Sequence, residues 1–543
     1  MKLFQQLLVA PAALGLLAPV AVSAAELNLD GVNQYASEDQ VTSISQFSDV
    51  KPTDWAYQAL SNLIERYGCV AGYPNGTYKG GQAMTRYEAA ALLNACLDRI
   101  TEVTDELKRL MKEFEKELAV LRGRVDGLEA RVGELEATQF STTTKLRGKA
   151  TFVIGANSFS GNLDSTPATA LYSGIPVGTN YADGARQLEG ATTFNYDVQL
   201  DFDTSFTGKD LLRTRLRAGN FGQSAWSGGP PVGLNAMEIA FEENCGTGAD
   251  CGDVVAINRL FYQFPIGGSF TATIGGRVRQ DDMLAMWPSA YPADTVLDIF
   301  TYAGAPGTYS LNLGAGGGLW WKSGGFSISA NYVSANGDNA NPSDGGIGTA
   351  GSQETGTVQV GYGGSNWGLA AAYTFTQPNG GAGIYGGNGT PFANTLWYSA
   401  DSVNSVGISA YWSPMSAGWF PSISAGWGIN SYTDSGDDIA NFDGGNSQSW
   451  YVGLQWADVF WKGNSFGMAV GQPTFVVNTG ESDIEANDGN YAWEWWYKFQ
   501  VTDNISVTPA IYYLSAPLGQ LQNDQSNETF SNFGGLVKTT FKF

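Results

Sequence analysis

The chain contains no histidine among its 543 residues. That absence excludes His-based catalytic triads, HExxH zinc sites and His-ligated haem. Charge is scarce too. Asp, Glu, Lys and Arg make up 15% of residues, against the roughly 25% usual in soluble domains. Bases are the scarcer sign, 29 against 52 acids for a formal charge of −23. This argues against a nucleic-acid partner, because phosphate binding needs a basic face. Beyond residue 25 no apolar run reaches the roughly 18 residues of a membrane-spanning helix, so none is expected. No GK[ST] follows a glycine run, and the letters GxGxxG at Gly381–Gly386 lead into more glycine and no helix. No metal-ligand set and no nucleophile with an activating base stands out. Neither an enzyme nor a cofactor is expected.

Glycine (70 residues) and aromatics (13%) are abundant instead. At the N-terminus, Lys2 precedes an apolar stretch, Leu7–Val22, broken by Pro11, Gly15 and Pro19, and Ser23-Ala24-Ala25 offers a small-residue cleavage site. Residues 1–25 therefore read as a signal peptide, and the protein as exported. Four cysteines suit an oxidising compartment. Pairing in sequence order, Cys69 with Cys96 and Cys245 with Cys251, is expected from among the three possible connectivities.

Residues 44–96 form a small helical module. Asp54 is placed to cap a first helix with Ala59, Leu60, Leu63 and Ile64 on its apolar face. Thr85 with Glu88 three residues on makes a capping box for a second. The spaced motifs FSDV (47–50), DWA (54–56), GYPNGTY (72–78) and MTRYEAA (84–90) resemble an S-layer homology domain. The resemblance implies non-covalent binding to peptidoglycan or a linked polysaccharide, with Trp55, Arg86 and Glu88 at the family's motif positions. Read locally, Trp55 also fits a core and Arg86 and Glu88 a helix cap.

From 97 to 137 the period changes to seven. Ile100, Leu107, Phe114, Leu121, Leu128 and Leu135 form one series, and Leu97, Thr104, Met111, Leu118, Val125 and Val132 the other, with charged residues between. This pattern predicts a coiled coil, hence a homo-oligomer.

From Lys145 to Phe543 the period is two. Segments such as Trp367-Gly-Leu-Ala-Ala-Ala-Tyr-Thr-Phe375 alternate large apolar with small or polar residues. An exported chain of such strands reads as an outer-membrane β-barrel with lipid on its outer face. Short and long connections must alternate in such a barrel. They do so when Met237–Phe241 belongs to a long outer loop (222–253) and not to a strand, which leaves 16 antiparallel strands. The loop then carries Cys245 and Cys251. Val537, Phe541 and Phe543 share one face of the last strand, which resembles the terminal signature of outer-membrane barrels. Sixteen strands are expected to leave a water-filled channel.

Alternation also assigns faces. With Leu212, Thr214, Leu216 and Ala218 toward lipid, Arg213, Arg215 and Arg217 face the lumen, and the same argument turns Arg259, Arg277 and Arg279 inward. Asp197, Asp201 and Asp203 face in on the neighbouring strand. The third long loop (280–308) holds Asp281, Asp282, Asp294 and Asp298. Folded inward, it would set these acids across from the arginines as a charge filter. A wall brace, in which the arginines pair with Asp197, Asp201 and Asp203, fits the same pattern.

The order of signal peptide, S-layer homology domain, coiled coil and 16-strand barrel resembles the cyanobacterial outer-membrane porins, often called iron uptake porins. The barrel resembles the carbohydrate-selective (OprB-type) porins. The first resemblance implies passage of small inorganic ions, the second of sugars, and no residue pattern selects between them. The first also implies a trimer. Two roles fit: a passive channel, and a structural tether between outer membrane and wall.

Overall fold

A computed structural model of the protein describes residues 43–54, 57–67, 70, 76–82, 143–242, 252–293, 296–433, 444–480, 486–525 and 527–543. The signal peptide, the coiled coil, Trp55, Arg86, Glu88, Asp294 and all four cysteines (Cys69, Cys96, Cys245, Cys251) lie outside the described residues. The chain divides between Thr138 and Gln139 into two compact units, described separately.

In the first unit a single 3-10 turn, Ile44–Gln46, is closed by a capping box between Ser43 and Gln46. Helix α1 (Tyr57–Tyr67) follows. Ile44, Phe47, Leu60, Ile64 and Val70 form its core, with Val50, Tyr57 and Tyr78 packed against them. Leu63, placed by period on the same helix face, is instead 42% exposed. The apolar contact there is narrower than the stripe suggests.

The second unit is a closed barrel in which each strand is hydrogen-bonded to its sequence neighbours and β1 to β16. Its strands are β1 (Thr144–Gly161), β2 (Thr193–Thr204), β3 (Leu211–Gly219), β4 (Ala256–Ile266), β5 (Phe270–Arg279), β6 (Leu313–Ser323), β7 (Phe326–Ser334) and β8 (Glu354–Gly363). The second half comprises β9 (Trp367–Gln377), β10 (Ser402–Trp412), β11 (Ser422–Thr433), β12 (Gly445–Ala457), β13 (Ser465–Asn478), β14 (Tyr491–Thr502), β15 (Ile505–Ser515) and β16 (Phe530–Lys542). The segment containing Met237 is not a barrel strand; Met237 makes an isolated bridge to Leu297. The count of 16 antiparallel strands stands.

Strand β9 shows how alternation builds the wall. Trp367, Leu369, Tyr373 and Phe375 are exposed on the outer face, while Ala370, Ala372, Thr374 and Thr376 are buried on the inner one. A lipid solvent accepts the first set and a shared interior the second. Closure removes the edge that an apolar last strand would otherwise present. β1 and β16 pair from Lys149–Lys542 to Gly161–Phe530. The Phe543 amide donates to the Gly148 carbonyl, and its ring covers Gly148 so closely that a Cβ there would collide with it. Short turns lie at the end where β1 begins and long loops at the other. The first long loop carries α2 (Pro167–Ser173), with Thr166 as N-cap, Pro167 in the first turn and Gly174 as left-handed C-cap, and then α3 (Tyr181–Glu189).

Candidate functional site

The arginines of β3 face the interior as expected, but each is already gripped by an acid of β2. Arg213 makes two hydrogen bonds to Asp203, at 2.8 and 3.0 Å. Arg215 makes two to Asp201, at 2.6 and 3.0 Å. The residue opposite Arg217 is Gln199, so Arg217 reaches on to Asp197 at 2.6 Å, and Gln199 donates to the other oxygen of that carboxylate at 2.8 Å. Burial is greatest at the Arg217 end of the row. Side-chain exposure is 19% at Arg213, 20% at Arg215 and 7% at Arg217, and Asp197 is fully buried. The Arg217 guanidinium also lies 4.4 Å from the centre of the Phe241 ring. Arg147 of β1 donates to the same Asp203 that Arg213 holds.

The acids of the third loop do not stand across a gap from these arginines. Asp282 is bonded directly to Arg259 at 2.7 Å. Asp281 is bonded to Arg279 at 2.6 Å, and Glu238 of the second loop adds a contact at 3.3 Å. Asp298 is buried elsewhere, accepting from the hydroxyls of Tyr302 at 2.8 Å and Tyr385 at 2.5 Å. Burial, and then the neighbouring Glu238, hold its carboxyl well above the usual carboxylate range. The expected transverse field between Asp281, Asp282 and Asp298 and the arginine row is therefore replaced by direct pairing and burial. Asp294 lies outside the described residues.

Arg277 departs from the expectation as well. The β5 ladder carries a register shift between Gly275 and Val278, and such a bulge inserts one residue and inverts the phase beyond it. Val278, expected toward lipid, is fully buried with Phe261, Met283 and Val333. Arg277 stands opposite Leu260, whose exposed side chain marks the outer face. Cross-strand partners share a face, so simple alternation does not carry Arg277 into the inward row.

The third loop (280–312) does fold inward, and the opposite wall is built to receive it. Ser329 of β7 accepts from the Ala285 amide at 2.8 Å, and Gln359 of β8 donates to the Met286 carbonyl at 3.1 Å. Ser424 of β11 accepts from the amides of Ala290 and Tyr291 at 2.9 and 3.1 Å. On the return path Ser409 of β10 donates to the Ala303 carbonyl, Ser449 of β12 to Gly304 and Thr374 of β9 to Thr308, all within 2.9 Å. Glu494, fully buried on β14, accepts from the Tyr291 hydroxyl at 2.7 Å and the Leu297 amide at 2.8 Å. Glycine supplies the room. A Cβ on Gly426 would strike the Ala303 carbonyl, on Gly361 the Met286 sulfur, and on Gly453 the Tyr291 ring. Inward serine and glycine were legible as small residues. Their role as a seat, and Glu494 as its deepest anchor, were not, because every partner lies tens of residues or more away in sequence.

Other long loops join the third one. The Tyr181 hydroxyl donates to the Pro231 carbonyl at 3.0 Å, the Trp226 indole to Tyr512 at 3.2 Å, and the Asp298 amide to Ala236 at 2.8 Å. A hydrophobic cluster including Phe159, Tyr181, Trp226, Leu297 and Phe300 fills the space between them. The interior is thus narrowed by packed loops on one side and lined by paired charges on the other, more filled than strand number alone implied.

A closed 16-strand barrel, apolar outside, with its third loop seated within it, defines an outer-membrane porin. Residues 102–543 match the carbohydrate-selective porin, OprB family, and the chain belongs to it. Residues 46–90 match the S-layer homology domain. An uncharacterized protein of Nostoc sp. is 34% identical, spanning 95% of this chain and 88% of the relative. Outer membrane protein SlpA of Deinococcus radiodurans is 35% identical over 18% of this chain and 9% of its own. Among solved structures, the high-pH structure of Pseudomonas putida OprB shares 12% identity at a TM-score of 0.46, covering 76% of this chain and 96% of that one. The protein resides in the outer membrane.

Proposed function

We propose that this porin provides passive diffusion of small solutes and inorganic ions, and that its S-layer homology module tethers it to peptidoglycan or a linked polysaccharide through Trp55, Arg86 and Glu88. The observation that carries the channel reading is the inward third loop, seated on the β7–β14 wall and facing the charged β2–β4 wall. Narrowing by a fixed loop sieves by size, and the polar lining keeps the path wet. Arg213 and Arg215, the less buried members of the row, are the residues that meet a passing solute. Arg217, Arg259 and Arg279 with Asp281, Asp282 and Asp298 act as braces beside the path.

Passage of iron follows from resemblance to the cyanobacterial porins, and passage of sugars from the family's description. In the same reading the chain is a trimer, the coiled coil joins its copies, and disulfides Cys69–Cys96 and Cys245–Cys251 stiffen the module and the second long loop. Stepwise conductance of purified protein in a planar bilayer tests the channel; a silent bilayer leaves the tether as the main role. Swelling of protein-loaded liposomes in sugars, compared with currents carried by simple salts and iron species, separates the solute classes.

A further inference from the structure

One stretch of the lipid-facing wall is hollow. Between β13 and β1 the outer face carries a shallow groove of about 570 Å³. Phe466 and Tyr497 line it near the short turns, and Ile511, Val537 and Ile154 line it higher up. Its floor is Gly535, paired with Ala156 on one side and Ile511 on the other. Among the described residues, a Cβ on Gly535 would have one atom within 4 Å, an Ile511 methyl at 3.9 Å. No neighbour in the barrel therefore demands glycine there, and the missing side chain leaves space on the membrane side. Phe466 is the second residue of β13, and Gly535 lies midway along β16. The groove thus runs from the short-turn rim to mid-wall, the depth of one leaflet. Short turns face the periplasm in such barrels, so that leaflet is the inner one.

The rim beneath the groove leans the same way. The turn 458–464 folds outward, because the Tyr497 hydroxyl donates to the Val459 carbonyl at 2.6 Å and Asn464 donates to that hydroxyl at 3.0 Å. The Phe460 ring centre thereby sits 6.0 Å from that of Tyr497, a groove residue. Phe460 and Trp461 are 81% and 66% exposed, an arrangement that water penalises and the headgroup layer accepts. Lys462 follows them and is also exposed. Asp458, the acid of the same turn, accepts from the Gly463 amide at 2.7 Å. An apolar groove, aromatic rings at headgroup level and a lysine at their edge match the chain, interface and phosphate of an anionic phospholipid. A second barrel fits less well. A standard protein interface takes about 20–30 residues a side, and two convex walls meet along a line without filling a hollow.

We propose that this part of the outer wall binds one anionic phospholipid of the inner leaflet, with an acyl chain in the groove over Gly535 and its phosphate at Lys462. The site is separate from the channel and stands whether or not the barrel conducts.

The test is native mass spectrometry of the full-length protein in detergent, titrated with dioleoyl phosphatidylglycerol or dioleoyl phosphatidylcholine. One phosphatidylglycerol per chain is expected to be retained, about fivefold more tightly than phosphatidylcholine, since one lysine at an anionic membrane surface is worth about 1 kcal/mol. Lys462→Gln should erase that preference and leave phosphatidylcholine retention as it was, and Lys462→Arg should keep it. Gly535→Leu, which fills the groove, should weaken retention of both lipids about tenfold or more, with heat-modifiable migration showing the barrel intact. Equal retention of the two lipids by the parent overturns the site, as does unweakened retention by the Gly535→Leu variant. Phosphatidylglycerol displaced by equimolar inorganic phosphate would reduce the site to an anion contact and overturn the acyl assignment. A Gly535→Leu protein that keeps its lipid but changes its oligomer mass would give the groove to a second copy of the chain and overturn the lipid.

Discussion

Asp197 is the most demanding residue of the charged wall. Its carboxylate is fully buried and its cation, Arg217, nearly so. Removing one partner of such a pair strands the other charge away from water, at a cost of about 3–5 kcal/mol. Asp197→Asn should therefore lower the thermal unfolding midpoint of the detergent-solubilised protein substantially. Arg213→Gln should lower it far less, by about 1 kcal/mol or under, because the pair is more exposed and Asp203 keeps Arg147. Equal losses would show that burial does not grade the row. The inward sense of Arg213, Arg215 and Arg217 was legible because their strand alternates without interruption. Alternation does not carry through to Arg277, because a bulge at Gly275–Val278 interrupts it. A sequence of small residues gives no sign of such an insertion, and period-two reasoning has no way to survive it.

Among the elements, the third loop depends on hydroxyls and missing side chains on the wall behind it. Gly426 is the tightest of these seats, since any Cβ would meet the Ala303 carbonyl. Gly426→Val should push residues 303–304 toward the channel axis, lowering single-channel conductance and costing about 1–3 kcal/mol of stability, the usual penalty for overpacking. Unchanged conductance would mean that this part of the loop does not bound the path. The outer loops hold a second device. Asp488 accepts from the Thr390 hydroxyl at 2.5 Å, the Val476 amide at 2.8 Å and the Gln520 amide at 2.8 Å, joining three long connections at one carboxyl. Burial pushes this carboxyl up to about 7. A folded-state value above the unfolded one means that the fold holds the proton more tightly. The stabilisation is therefore full below the ordinary value of 3.8 and is lost as pH rises through about 7. Protease cleavage in residues 479–490 and 516–529 should accelerate between pH 6 and about 8, and Asp488→Asn should flatten that dependence. Nothing in the local sequence marks Asp488 among its neighbours, because the donors come from two other loops and from β13.

The whole molecule joins two units whose chemistry is separate, and here the sequence was most informative. A change of period, from helical to two, is a local property that survives without tertiary context, whereas faces and partners depend on register. The S-layer homology motif also explains its own geometry. Asp49, from FSDV, accepts the backbone amides of Tyr78 and Lys79, both at 2.6 Å, and so ties the start of the motif to the end of GYPNGTY. The Tyr78 amide above all draws its carboxyl below the usual range. Asp49 was not singled out from sequence, although its place in a shared motif was visible. Because the barrel closes on itself through β1 and β16, its integrity does not depend on that clasp. Asp49→Ala in the full-length chain should unfold the module and abolish co-sedimentation with isolated cell wall, while heat-modifiable migration of the barrel and its bilayer conductance stay as in the parent. Deleting residues 44–96 should reproduce the loss of wall binding. Undiminished sedimentation of both variants would place the attachment elsewhere in the chain. Conductance lost together with wall binding would show that the module bears on the channel itself and does more than moor it.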